Sequence, residues 1–85
     1  MTEVKRIYLI LEEMVDCTIK GDQERIRELD DSYEALRPRV YHKPSELEYD
    51  NCRQSCIMSI DMPNMRERFI SDAKERFSKI TRPKY

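Results

Sequence analysis

The chain contains a single glycine, Gly21, followed at once by Asp22 and flanked on both sides by apolar residues at helical spacing. Upstream run Val4, Ile7, Leu11, Met14, Val15 and Thr18, and downstream run Ile26, Leu29, Tyr33, Leu36 and Val40. This period draws one apolar stripe along one face of a helix. Glycine takes the left-handed conformation that ends a helix, and an aspartate beside it accepts hydrogen bonds from the free amides that start the next one. The pattern predicts two antiparallel helices joined by a very tight turn, and an all-α fold.

At 85 residues the chain has no room for a second core, so residues 1–80 are read as one helical domain and 81–85 as a frayed tail. Hydrophobic and charged residues each make up 39% of the chain and there is no tryptophan, so the core is small for its surface. Association with a second copy or a larger partner would bury more apolar area, and a homodimer is expected. The net charge of -1 conceals an asymmetry. Residues 1–36 carry ten acidic and five basic side chains, whereas residues 37–85 carry seven acidic and eleven basic. Such halves complement one another within a bundle or across a dimer, and the basic half also suits nucleic acid or an acidic partner. No apolar run approaches the ~18 to 20 residues of a membrane span, and a secretory leader pattern is missing, so a cytoplasmic protein is expected. Three cysteines, an odd number, fit a reducing compartment.

Four helices are predicted. The first runs from about Glu3 to Lys20 behind Thr2, with Leu9 opposite its apolar stripe; the width of that stripe makes the helix central or brings it to a second surface through Leu9. The second runs from Gln23 to Leu36 behind Asp22 and stops at Pro38, because Arg37 before the proline is pushed out of helical geometry. Residues 37–44 then form an irregular crossover that presents Arg37, Arg39, Tyr41, His42 and Lys43. A third helix opens at Ser45, where Ser45 and Glu48 have capping-box spacing, and continues to about Ile60, burying some of Leu47, Tyr49, Cys52, Cys56, Ile57 and Ile60. A break at Asp61-Met62-Pro63 leads into a fourth helix from Pro63 to Ile80, with Met65, Phe69, Ala73, Phe77 and Ile80 inward. Asp72 with Arg76 and Glu75 with Lys79 are favourable i,i+4 pairs.

Glu12-Glu13-Met14-Val15-Asp16 and Glu28-Leu29-Asp30-Asp31 resemble the carboxylate signature of the MazG-type, all-helical nucleotide pyrophosphohydrolases. The resemblance implies magnesium held by acidic residues of neighbouring helices, activating water at a phosphate. Asp16 stands where that pattern has a third glutamate, and the spacer is slightly short. With the first helix buried along Leu11 and Thr18, Glu12, Asp16 and Glu13 sit about 110°, 150° and 210° from the stripe centre. Glu28 and Asp31 likewise point away from the second helix's seam, so a solvated acidic face is the preferred reading. Cys17, Cys52, Cys56 and His42 make a chemically sensible zinc set, but cysteines one turn apart on a helix are read first as small core hydrophobes. One histidine is too few for a hydrolytic triad, and one glycine too few for a phosphate-cradling loop.

The preferred reading is therefore a small protein-binding module, an adaptor, inhibitor or assembly factor without catalytic activity, cofactor or metal. Its partner surface is assigned to Leu9 on the outer side of the first helix, to Arg37, Arg39, Tyr41, His42 and Lys43 of the crossover, and to whichever part of the mixed third-helix face remains uncovered. The alternative is a nucleic-acid-binding regulator using that crossover with Arg66, Arg68, Arg76, Lys79, Arg82 and Lys84.

Overall fold

The computed structural model describes the backbone of residues 3–40 and 47–80 and the side chains of residues 5–37 and 47–80. Within them lie four helices, α1 (Glu3–Lys20), α2 (Gln23–Val40), α3 (Leu47–Asp61) and α4 (Arg66–Ser78), with one 3-10 turn at Pro63–Met65 before α4. The described residues contain no strand.

The first turn forms as the lone glycine requires. Gly21 has φ +81°, and the amides of Gly21 and Asp22 both donate to the Cys17 carbonyl, at 2.8 and 3.0 Å. Asp22 then caps α2: its Oδ1 accepts from the Arg25 amide at 3.2 Å, and its carbonyl accepts from the Ile26 amide at 3.1 Å. α1 and α2 therefore fold back on each other. Ile7, Leu11 and Met14 of α1 and Ile26 and Tyr33 of α2 become almost wholly buried, each large side chain contributing about 1.5–3 kcal/mol of transfer free energy.

α3 and α4 form a second hairpin, packed so that α1 touches all three other helices. Cys52 of α3 lies against Ala73 of α4, its thiol 3.7 Å from the Ala73 carbonyl. Tyr8 of α1 stacks on Phe77 of α4 with ring centroids 5.1 Å apart, while Arg66 at the start of α4 reaches the end of α1, so these two helices are antiparallel. The central position expected of α1 is what the structure shows. The α1–α2 and α3–α4 turns lie at one end of the bundle, and the end of α2 and the start of α3 at the other.

Two boundaries differ from expectation. α2 runs through Pro38 to Val40 rather than stopping at Leu36, so Arg37 and Arg39 belong to a helix and not to a loop. Proline's φ is already helical, and the disruption consists of one lost amide donor and a clash with the preceding turn. Against it stand the burial of Leu36 and two ion pairs of Arg37, to Asp50 at 3.1 Å and to Glu34 at 3.7 Å. Pro63 opens a 3-10 turn, and α4 proper starts three residues later at Arg66. Thr2, Ser45 and the tail 81–85 lie outside the described residues.

Candidate functional site

Leu9 projects from the side of α1 that flanks α2, and it is half-buried. It lines an open groove of about 320 Å³ between α1 and α2, together with Arg6, Ile10, Glu13, Arg25, Leu29 and Ser32. The floor is apolar because Ile10 and Leu29 are shared with the core, and the rim is polar because the i±3 and i±4 neighbours of these residues are charged or hydroxylated.

Two acidic residues of the pyrophosphohydrolase-like pattern, Glu13 and Glu28, meet at a cation of the protein itself. Arg25 Nε donates to Glu13 Oε2 at 2.7 Å and Nη1 to Glu28 Oε2 at 3.3 Å, so one guanidinium stands between the α1 and α2 carboxylates. The bond to Glu13 pushes the Arg25 pKa above its ordinary value. Glu12, Asp16 and Asp31 are exposed, and Asp30 turns the other way to meet Arg53 of α3. Among the described residues no group of three metal-ligating side chains converges on a point.

A second polar cluster, which the sequence did not reveal, joins α2 to α3. Arg53 Nε lies 2.6 Å from Asp30 Oδ1, its Nη2 pairs with Glu34, and its guanidinium sits 5.4 Å from the centre of the Tyr33 ring. Tyr33 donates its hydroxyl to Asp50 Oδ1 at 3.1 Å, and Asp50 also pairs with Arg37. Burial pulls the Arg53 pKa down, but the bonds to Asp30 and the nearby carboxylates outweigh it and leave the pKa raised. Arg27 with Asp61, at 3.5 Å, continues this seam towards the turn end. The α2–α3 contact is thus made by charge where α1–α2 is made by apolar packing.

The three cysteines are free and buried. Cys52 and Cys56 sit one helical turn apart in the core, and the neighbouring Cys56 thiol together with burial drives the Cys52 thiol well above its ordinary pKa. The neighbouring Cys52 lowers the Cys56 pKa against the effect of burial, aided by the Thr18 hydroxyl. Burial raises the Cys17 thiol. This is the core role expected of these residues.

The basic residues of the nucleic-acid reading are dispersed. Arg66 is drawn inward: its Nη2 donates to the carbonyls of Thr18 and Ile19, at 3.1 and 3.3 Å, satisfying two acceptors that the end of α1 leaves open. Lys79 pairs with Glu75 at 3.4 Å, and Arg68 and Arg76 are exposed at separate points of α4. Tyr41, His42, Lys43, Arg82 and Lys84 lie outside the described residues, as does the side chain of Arg39. No helix of the described residues is long and apolar enough to cross a membrane. No family model, no curated protein and no solved structure matches the chain.

Proposed function

We propose that the chain is a protein-binding module, an adaptor, inhibitor or assembly factor, that acts as a homodimer and without catalysis. The observation that carries this reading is the α1–α2 groove. Leu9, Ile10 and Leu29 offer an apolar floor inside a rim of Arg6, Glu13, Arg25 and Ser32, the arrangement of apolar centre and polar border that protein contacts use. Engagement of Glu13 and Glu28 by Arg25, and of Arg66 by α1, supports contact chemistry over metal or phosphate chemistry. A cytoplasmic setting goes with this reading, since free thiols suit a reducing compartment.

The test replaces Leu9 with a photo-crosslinking amino acid in the expressing cell. A discrete adduct heavier than the protein's own dimer is expected at position 9 and not at Glu67, on exposed α4 surface. Adducts that are equal at both positions, or missing at position 9, would overturn it.

A further inference from the structure

α3 divides its apolar side chains between two sides. Its fully buried residues are Tyr49, Cys52, Ser55, Cys56 and Ser59, with Ile57 and Ile60 partly buried against the core, while Leu47 is 58% exposed and Met58 is only partly covered on the other side. α1, α2 and α4 each gather their apolar side chains on one face, and α3 does not. A helix that is apolar on more than one side is covered on more than one side.

Leu47, Asn51, Gln54 and Met58 follow each other at spacings of four, three and four, so they form one stripe on the outward side of α3. The stripe carries no charge in a chain that is 39% charged. Asp50, Arg53 and Asp61 are all drawn sideways into ion pairs with α2.

We propose that this stripe is the contact between two copies of the chain, with α3 lying antiparallel on α3 of the second copy. The proposal rests on the dimeric state given above and assigns its surface. The stripe reads the same from either end, in spacing and in chemistry: apolar, amide, amide, apolar. A two-fold axis requires that residue i meet j wherever j meets i. Turned end for end, Leu47 faces Met58 of the second copy and Asn51 faces Gln54. Each amide then offers the other both donor and acceptor, and a polar pair inside an apolar helix contact fixes its register. Charge agrees. Asp72 and Arg76, one turn apart on one flank of α4 next to Ala73 and Cys52, make no ion pair among the described residues, and the same two-fold directs Asp72 of one copy towards Arg76 of the other.

The test is molar mass by light scattering over a range of micromolar concentrations, with far-UV circular dichroism to confirm that each variant folds. The unaltered chain is expected at twice its 10.3 kDa mass. Leu47→Lys/Met58→Lys should lose the dimer, and Leu47→Lys/Met58→Glu should regain it, because each lysine then faces a glutamate of the second copy. Asn51→Arg/Gln54→Arg, at two exposed positions, repeats the disruption if the first variant does not fold. A monomeric unaltered chain, or a dimer indifferent to a folded disrupting variant, would overturn the proposal; failure of the lysine–glutamate variant to recover would overturn the antiparallel register. The position-9 crosslink to another protein is read separately from the dimer, so the two assignments fail apart.

Discussion

Gly21 and Arg66 fasten the two hairpins to each other. A Cβ at Gly21 would lie 3.3 Å from Arg66 Nη2, so the left-handed turn and the arginine that caps α1 share one small space. Gly21→Ala should therefore cost about 1–2 kcal/mol from backbone conformation alone, and Arg66→Ala about 1 kcal/mol from carbonyls left to water. In urea unfolding the double variant should cost less than the two singles combined, because alanine at 21 already displaces the guanidinium. Strict additivity would show that the two residues act separately.

The thiol pair makes a prediction of definite sign. Folded, Cys52 keeps a proton that the unfolded chain releases as the pH passes about 8.5. Above that pH the native state binds more protons, because the lowered Cys56 is then ionised in both states, so stability falls as the pH rises further, by up to about 1.4 kcal/mol per pH unit. Urea midpoints at about pH 8 and pH 10 should diverge more for the unaltered chain than for Cys52→Ala/Cys56→Ala. Equal divergence would remove the pair from the account.

Among the elements, α2–α3 is the contact that depends most on single side chains. Arg53 serves Asp30, Glu34 and the face of Tyr33 while only 17% of its side chain is exposed. Arg53→Ala should cost about 2 kcal/mol, since bonds to charged groups are lost with little water to replace them. Arg25→Ala, on an exposed pair of carboxylates, should leave stability unchanged. A reversal of that order in thermal unfolding would contradict the division into a charge-held and an apolar contact.

The elements legible in the sequence were those set by local rules. Gly21, Asp22 and the stripes of α1 and α2 act within a few residues of themselves, whereas the wheel put Leu9 opposite the buried stripe and the structure has it half-buried beside α2. The end of α2 was not legible, because its continuation past Pro38 depends on Arg37 meeting Asp50 of another helix. Arg53 and Arg66 escaped for the same reason: a long side chain can reach many places, and only the packing of helices decides which acceptor it meets. The missing apolar face of α3 was visible as a weak pattern, but its meaning required knowing which side the bundle covers.

For the protein taken together, the acidic outer surface of the first hairpin and Arg68, Lys74 and Arg76 of α4 remain displayed, while Glu13 and Glu28 of the carboxylates that resemble a metal site are held by Arg25. On the proposed reading two surfaces divide the work: the α3 stripe would join copies and the α1–α2 groove would receive another protein. Quantitative mass spectrometry of proteins captured from one lysate by the unaltered chain and by Leu9→Lys separates this from every reading based on metal or nucleic acid. Specific proteins held by the unaltered chain should be lost from Leu9→Lys and retained by the folded, dimer-disrupted Leu47→Lys/Met58→Lys. Identical capture by the unaltered chain and Leu9→Lys would contradict the assignment of the groove.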